Sequence, residues 1–214
     1  MYRGTKHQCN ICDIKLRQFI EFDSSNLLCP NCGSLSRTRG LWNIINDQLS
    51  GKILLHFSPS ISLKTAINTK ANTKKYITTD FSEEFDAEFN FDIENISLDD
   101  CSVDIIICFH ILEHVQNDRK ALSELYRVLK KNGTIYIQTP FKEGSTYEDS
   151  SIVEPEERLK HFGQEDHLRV YSSTDLNSRI QASGFETKIL EINNEKDNYN
   201  GLKQNEIILV GKKV

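Results

Sequence analysis

From residue 52 onward, short apolar runs alternate with segments whose apolar residues recur at helical spacing. The apolar runs predict seven strands, over residues 52–57, 74–79, 88–92, 103–109, 133–139, 185–192 and 205–212. The helical segments predict three helices, over residues 59–68, 118–130 and 172–183. Such alternation is typical of a doubly wound α/β sheet. The polar stretch 193–201 predicts a hairpin connection between the last two strands.

The first 49 residues follow a different pattern, because they contain two Cys-x-x-Cys pairs. Cys9 and Cys12 form the first pair, and Cys29 and Cys32 form the second after sixteen intervening residues. Four thiolates at this spacing predict a tetrahedral Zn²⁺ site, and four protein ligands leave no open position, so the site is expected to be structural. A strand is predicted over 15–22 and a helix over 34–49.

These two patterns predict two domains, a zinc-ribbon module with its connecting helix over 1–49 and an α/β domain over 50–214. The chain has 214 residues, of which 38% are hydrophobic and 27% charged, which is ordinary for a soluble globular protein. No apolar run is long enough to span a bilayer and no signal peptide is evident, so we expect a cytoplasmic protein without a membrane partner. The net charge of −5 argues against a broad basic face for nucleic acid.

The most specific pattern in the α/β part is the block 103–140. It contains FHILEHV over residues 109–115, ALSELYRVLKKNGT over 121–134 and QTP over 138–140. This order resembles the class I S-adenosylmethionine-dependent methyltransferases of the type 11 group. The resemblance implies a Rossmann-like fold with a seven-stranded, mostly parallel sheet whose last strand is antiparallel. It also implies S-adenosylmethionine as cofactor and methyl transfer as the reaction.

The resemblance further implies which residues hold the cofactor. After the first strand they are His56, Phe57 and Ser58, where the family normally has a glycine-rich turn and this chain has no glycine. After the second and third strands, Asp80 would bind the ribose hydroxyls, Asp92 would accept from the adenine amine, and Ile93 would offer its amide. His110 would line the cavity that cofactor and substrate share. Ser58 is predicted to cap the following helix, with Pro59 as its first residue.

The catalytic candidates are His167 first and His110 second. His167 lies in the long segment 141–171, which is predicted to be a loop that covers the substrate. A base is needed only if the acceptor is a hydroxyl or a protonated amine, and histidine titrates in the right range. His161 of the same segment could serve in the same way, and a role as a hydrogen-bonded loop residue stays open for both His161 and His167. Glu113 and His114 are expected to be local scaffolding.

The favoured acceptor is a small molecule or a sugar-like compound methylated on oxygen. A second hypothesis is an RNA or other nucleic-acid methyltransferase whose zinc module grips phosphates through basic residues. Those residues are Arg3, Lys6, Lys15, Arg17, Arg37 and Arg39. A third hypothesis is a non-catalytic scaffold that has lost the cofactor site, and the glycine-less loop after the first strand is its support.

Overall fold

The computed structural model describes residues 2–22, 26–192 and 198–214. The chain forms two compact units, each built from segments that are separate in sequence. The first unit comprises Met1–Ile53, Pro59–Tyr76 and Glu191–Ile207, and the second comprises Leu54–Ser58, Ile77–Leu190 and Ile208–Val214. Most of the predicted hairpin connection, residues 193–197, lies outside the described residues. No helix in the described ranges is long and apolar enough to cross a membrane.

The strands and helices follow the predicted alternation from residue 53 onward. In chain order, the strands of the described residues are β1 (Arg3–Gln8), β2 (Lys15–Leu16), β3 (Ile20–Glu21), β4 (Leu27–Leu28), β5 (Ile53–Phe57), β6 (Lys75–Thr79), β7 (Val103–Phe109), β8 (Leu129–Gln138), β9 (Tyr147–Glu148), β10 (Arg169–Val170), β11 (Glu186–Ile192) and β12 (Glu206–Lys212). The α-helices are α1 (Ser36–Ile45), α2 (Ile61–Lys70), α3 (Asp118–Val128), α4 (Pro155–Phe162) and α5 (Ser173–Ala182). Short 3₁₀ turns cover Asn46–Gln48 and Leu112–His114.

The central sheet has the strand order β11-β12-β8-β7-β5-β6. Strand β7 runs parallel to both β5 and β8, whereas β12 is antiparallel to β8. The prediction of a mostly parallel sheet with an antiparallel last strand is therefore confirmed. Parallel strands carry helical connections on their faces and are covered on both sides, which is why they read as continuous apolar runs. Ile105, Ile106, Ile107 and Cys108 of β7 are accordingly all buried.

The predicted strand over 88–92 is the exception, because this segment makes a single parallel bridge between Phe89 and Thr79. The backbone amide of Glu88 donates to Oγ1 of Thr78 at 2.9 Å, and that of Phe91 donates to Oγ1 of Thr79 at 2.7 Å. Threonine hydroxyls thus take the amides that a regular ladder would direct to carbonyls. The sheet consequently has six strands where the sequence predicted seven.

Two predicted helix boundaries are also wrong. Helix α3 ends at Val128 and not at residue 130, because Leu129 already has extended backbone and opens β8. Helix α2 begins at Ile61, and the residue that caps it is Ser60, whose hydroxyl accepts from the amide of Leu63. The connection after β5 is therefore longer than the sequence indicated.

The segment 141–171 is not the plain loop that was predicted. It holds β9, α4 and β10, and β9 pairs with β10 in an antiparallel arrangement. Helix α4 has Pro155 as its first residue and is capped at its carboxyl end by Gly163, which has a left-handed φ of 90°. Proline at the start and glycine just past the end are ordinary helix signals that the sequence analysis overlooked. In the first unit, the predicted strand 15–22 is divided into β2 and β3.

Candidate functional site

The four cysteines of the first unit converge on one point. The Sγ atoms of Cys9 and Cys32 are 3.7 Å apart, and those of Cys12 and Cys29 are 3.8 Å apart. All four sulfur atoms lie within 4.8 Å of one another. A tetrahedral zinc ion with bonds of about 2.3 Å requires sulfur–sulfur separations of about 3.8 Å, so the donor set fits Zn²⁺.

The two cysteine turns have the same backbone geometry. The carbonyl of Cys9 accepts from the amide of Asp13 at 2.8 Å, and that of Cys29 accepts from Gly33 at 3.0 Å. Asp13 and Gly33 both have left-handed φ angles, of 58° and 71°. The second turn obtains this conformation from glycine, and the first obtains it from aspartate, a residue that tolerates it better than most.

A buried arginine completes the ribbon. Arg39 is 0% exposed, and its guanidinium donates to the backbone carbonyls of Leu27, Ser34, Asn200 and Gly201. Carbonyl partners solvate a cation but do not neutralise it, and an uncompensated buried charge is costly. Burial lowers the pKa of Arg39, whereas the four neighbouring cysteines act to raise it, as negatively charged thiolates would. The arginine predicted as a phosphate contact is thus an internal part of the ribbon.

In the second unit, polar side chains follow the carboxyl ends of four neighbouring strands. Ser58 follows β5, Asp80 follows β6, His110 follows β7 and Thr139 follows β8. Backbone hydrogen bonds join these ends, from Ser58 to the carbonyl of Thr79 and from His110 to that of Gln138, each 2.8 Å long. Ligands of open parallel sheets bind at this edge.

Asp80 is the most completely organised carboxylate at this edge. It is 3% exposed, and its Oδ1 accepts from the hydroxyl of Ser58 at 2.5 Å. Its Oδ2 accepts from the hydroxyl of Ser82 and from the amides of Glu84 and Phe85 at 2.8–3.1 Å. Burial acts to raise the pKa of Asp80, but these hydrogen bonds outweigh it and leave the pKa below its usual value. Asp80 is therefore an anion held in one orientation.

The loop without glycine keeps a backbone conformation that glycine favours. Ser58 has a φ of 46°, in the left-handed region, where a side chain costs roughly 1–2 kcal/mol. Its hydrogen bond to Asp80 offsets part of that cost. The departure from the family pattern thus lies in the residue type, while the turn itself is formed.

We expect Ser58→Ala to destabilise the protein by about 1–3 kcal/mol, because it keeps the left-handed φ and removes a hydrogen bond to a buried charge. Ser58→Gly loses the same bond but relieves the backbone strain of the left-handed φ. The glycine variant should therefore be about 1 kcal/mol less destabilised than the alanine variant. Urea denaturation of the three proteins measures both differences. A glycine variant less stable than the alanine variant would contradict this account of the loop.

The same contacts give a pH dependence. Because the pKa of Asp80 is lowered in the folded protein, its contribution to stability is fully present above the unfolded value of about 3.9 and is lost as pH falls through the folded pKa. The stability difference between wild type and Ser58→Ala should therefore shrink as pH falls below about 4.

The other predicted cofactor residues lie in different surroundings. Asp92 is exposed, and its Oδ1 accepts from the amide of Glu94 at 2.8 Å, while Ile93 is buried. His56 and Phe57 are buried on β5, and burial lowers the pKa of His56 to about 3, so its ring is neutral at pH 7. A cofactor contact through either residue would involve the backbone at the strand end. Their roles remain predictions.

The catalytic candidates His110 and His167 belong to one cluster that includes two residues expected to be scaffolding. Nδ1 of His110 lies 3.3 Å from Oε1 of Glu113, and the rings of His114 and His167 pack edge to face with centroids 4.7 Å apart. One ligand atom from each of Glu113, His114 and His167 lies within 4.8 Å of the other two. This grouping was not predicted from the sequence, although the sequence contains an adjacent Glu-His pair and a distant histidine.

Glu113 is the unusual member of the cluster. Its side chain is 1% exposed, and apart from the 3.3 Å approach of His110 Nδ1 to Oε1, no described side chain offers a hydrogen-bond donor to either carboxylate oxygen. Nε2 of His110 is likewise buried without a hydrogen-bond partner in the described part of the chain. Burial acts to raise the pKa of Glu113, and the interaction with His110 lowers it to a net value below the ordinary one. The cluster therefore contains a buried anion.

The comparisons with known proteins agree with this fold. A family model described as "Methyltransferase domain" matches residues 48–188. Over 120 residues the chain is 29% identical to the Rattus norvegicus protein "Thiol S-methyltransferase TMT1B", an alignment that covers 52% of this chain and 48% of that relative. The chain thus spans about half the length of this curated relative.

Solved structures show the same architecture at low identity. A SAM-dependent methyltransferase from Archaeoglobus fulgidus superimposes with a TM-score of 0.58 at 15% identity, covering 83% of this chain and 93% of that one. The [4+2]-cyclase SpnF gives 0.59 at 14% identity, covering 83% and 81%. The family match extends over well more than half of the chain. The chain therefore belongs to the class I S-adenosylmethionine-dependent methyltransferases.

Proposed function

We propose that this enzyme transfers a methyl group from S-adenosylmethionine to a hydroxyl group of a small-molecule or sugar-like acceptor. The observation that supports this is the cluster of His110, Glu113, His114 and His167 at the carboxyl end of β7, on the edge of the sheet that carries Asp80. An alcohol is a poor nucleophile until its proton is removed, so a hydroxyl acceptor requires such a cluster. A thiol ionises near neutral pH without one.

The cofactor is proposed to lie along the strand ends of the second unit. Asp80 would bind the ribose, since its Oδ1 accepts only one hydrogen bond from the described residues and has room for a ribose hydroxyl. Asp92 would accept from the adenine amine, Ile93 would offer its amide, and the backbone at His56–Ser58 would face the methionine moiety. The bound sulfonium supplies an already activated methyl group, so the chain has to align the acceptor oxygen with it.

The two predicted catalytic histidines differ in position. His110 follows β7 directly, its side chain is 27% exposed, and its Nε2 has no described partner, so it is proposed to take the acceptor's proton. His167 is 3% exposed, and its Nδ1 donates to the carbonyl of Phe162. It would therefore lie on the buried side of the acceptor.

The ribbon is proposed to hold a structural zinc ion. The sulfur separations fit tetrahedral coordination, and a zinc ion with four thiolates carries a net negative charge that would neutralise the buried Arg39. The division into a zinc module over 1–49 and a methyltransferase domain over 50–214 remains part of this proposal.

A thiol acceptor is the second candidate, because the rat relative is named as a thiol S-methyltransferase. Incubation with S-adenosylmethionine labelled in its methyl group tests the choice directly. Panels of polyols and sugars, of alkyl and aryl thiols, and of RNA serve as acceptors, and His110→Ala is run beside the wild type. We expect label on hydroxyl acceptors, as alkali-stable ethers, and a strong loss of turnover in His110→Ala. Label confined to thiols or to RNA would contradict the proposal.

A further inference from the structure

The cluster at the end of β7 has the composition of a metal site. Glu113, His114 and His167 offer one carboxylate oxygen and two imidazole nitrogens, and these three atoms lie within 4.8 Å of one another. Two histidines and one carboxylate that leave other positions open are a recurrent ligand set for divalent transition metals. This site lies in the second unit and shares no residue with the cysteine cluster.

The contacts that the two histidines make through Nδ1 indicate which ring nitrogen is available to a metal. Nδ1 of His114 is 2.9 Å from Oδ2 of Asp166, and Nδ1 of His167 is 3.0 Å from the carbonyl of Phe162. Both partners are acceptors, so each Nδ1 carries the proton and each Nε2 keeps its lone pair. Metal-binding histidines characteristically donate their second ring N–H to a carboxylate or a backbone carbonyl in this manner.

The carboxylate provides an independent indication that this site can accept a cation. Both oxygens of Glu113 are buried, and apart from His110 no described side chain offers either of them a hydrogen-bond donor. A buried carboxylate is normally satisfied by several donors, because its desolvation is otherwise uncompensated. The imidazole of His110, 3.3 Å from Oε1, approaches one oxygen only. A metal ion would supply the missing partner.

The backbone around the ligands is held in place before any ligand arrives. Arg169 donates to the carbonyls of Leu112, Val115 and Gln116, the first and second of which flank Glu113 and His114. The amide of Leu168, next to His167, donates to the carbonyl of Glu113 at 2.9 Å. These bonds fix the segment that carries His167 to the turn that carries the other two ligands. Such preorganisation is what a metal site requires.

We propose that Glu113, His114 and His167 bind a divalent transition-metal ion. Imidazole together with carboxylate favours ions such as Mn²⁺, Fe²⁺, Co²⁺ or Zn²⁺, whereas Ca²⁺ prefers ligands that are all oxygen atoms. Three protein ligands leave positions open, as in catalytic metal sites.

The role of this ion rests on the proposed function. Its open positions would receive the acceptor's hydroxyl oxygen and lower the pKa of that hydroxyl. The proton passes to His110, the oxygen forms its bond to the methyl carbon, and the bond from that carbon to the sulfonium sulfur breaks with its electron pair left on sulfur. His167 then acts as a ligand and His110 as the base.

Mn²⁺ titration of protein that carries a single zinc ion per chain, followed by the electron paramagnetic resonance signal of free Mn²⁺, tests the site alone. Mn²⁺ is suitable because thiolates select zinc whereas harder ligands accept manganese. We expect one Mn²⁺ per chain in the wild type. Glu113→Gln, His114→Gln and His167→Gln should each weaken binding by roughly 100-fold or more, since losing even an outer-sphere partner costs about 10–100-fold.

The matched control is His161→Gln, which removes a histidine of α4 outside the triad and should bind Mn²⁺ as the wild type does. Thermal melts of all variants verify folding, and Glu113→Gln conserves the side-chain volume. Absence of binding by the folded wild type, or equal binding by the triad variants, overturns the proposal. If methyl transfer to a hydroxyl persists in EDTA and Mn²⁺ does not bind, the metal site is refuted and the proposed function stands. If Mn²⁺ binds specifically and no hydroxyl is methylated, the metal site stands and the proposed function is refuted.

Discussion

Asp80→Ala should weaken the binding of S-adenosylmethionine by about 10–100-fold, because a hydrogen bond from a ribose hydroxyl to a charged acceptor is lost, at about 1.5–3 kcal/mol. The carboxylate is well suited to this role. It is buried, its pKa is lowered, and four hydrogen bonds hold it in one orientation. The ligand would therefore meet a preorganised anion and would not have to order it.

Isothermal titration calorimetry with the cofactor measures this loss, and two controls separate binding from folding. Asp99→Ala removes the same charge from an exposed position and should bind the cofactor normally. Asp80→Asn keeps the shape and an acceptor oxygen, so it should remain folded while binding weakly. Wild-type affinity in a folded Asp80→Ala protein would exclude this residue from the cofactor site.

Cys29→Ser should remove zinc and destabilise the first unit by about 3–5 kcal/mol, the cost of leaving a buried charge without compensation. The charge is that of Arg39, which is fully buried and bonded to carbonyls of Leu27, Ser34, Asn200 and Gly201. Loss of the metal would leave those bonds in place but withdraw the neighbouring negative charge, so the ribbon should unfold rather than relax.

Zinc content by mass spectrometry, together with urea denaturation, measures both parts of this expectation. Cys101→Ser is the matched control, since Cys101 is exposed and outside the cysteine cluster. The wild type and the control should each contain the ribbon zinc and unfold alike. Unchanged zinc content and stability in Cys29→Ser would refute the ribbon assignment.

The elements that the sequence predicted correctly are those that local pattern determines. Strand β7 is a run of buried isoleucines, and the cysteine pairs carry their ligand spacing in the sequence itself. No regular strand forms over 88–92, because the hydroxyls of Thr78 and Thr79 take the amides of Glu88 and Phe91, which a period-two pattern does not reveal. Helix α4 was missed because Pro155 and Gly163 were not used as signals for its ends.

The sequence allowed the residues at the strand ends to be predicted, but not how their side chains are arranged around one another. Asp80 was identified because it follows a strand, yet nothing local shows that Ser58 would reach it from the neighbouring loop. Glu113 and His167 are more than fifty residues apart in sequence, and Arg169 joins their segments through backbone carbonyls. Contacts of this kind depend on the complete fold, so the four-residue cluster could not be predicted from sequence periodicity.

Calorimetric titration of the zinc-loaded wild type with S-adenosylmethionine, and with its demethylated product, shows whether the strand ends of the second unit form a working cofactor site. Both ligands are expected to bind one site per chain with micromolar affinity, because the Asp80 carboxylate and the neighbouring strand ends are formed before binding. No detectable heat of binding from folded, zinc-loaded protein would contradict this expectation and would favour a scaffold that has lost its cofactor, with the loop at Ser58 as the first place to look for the cause.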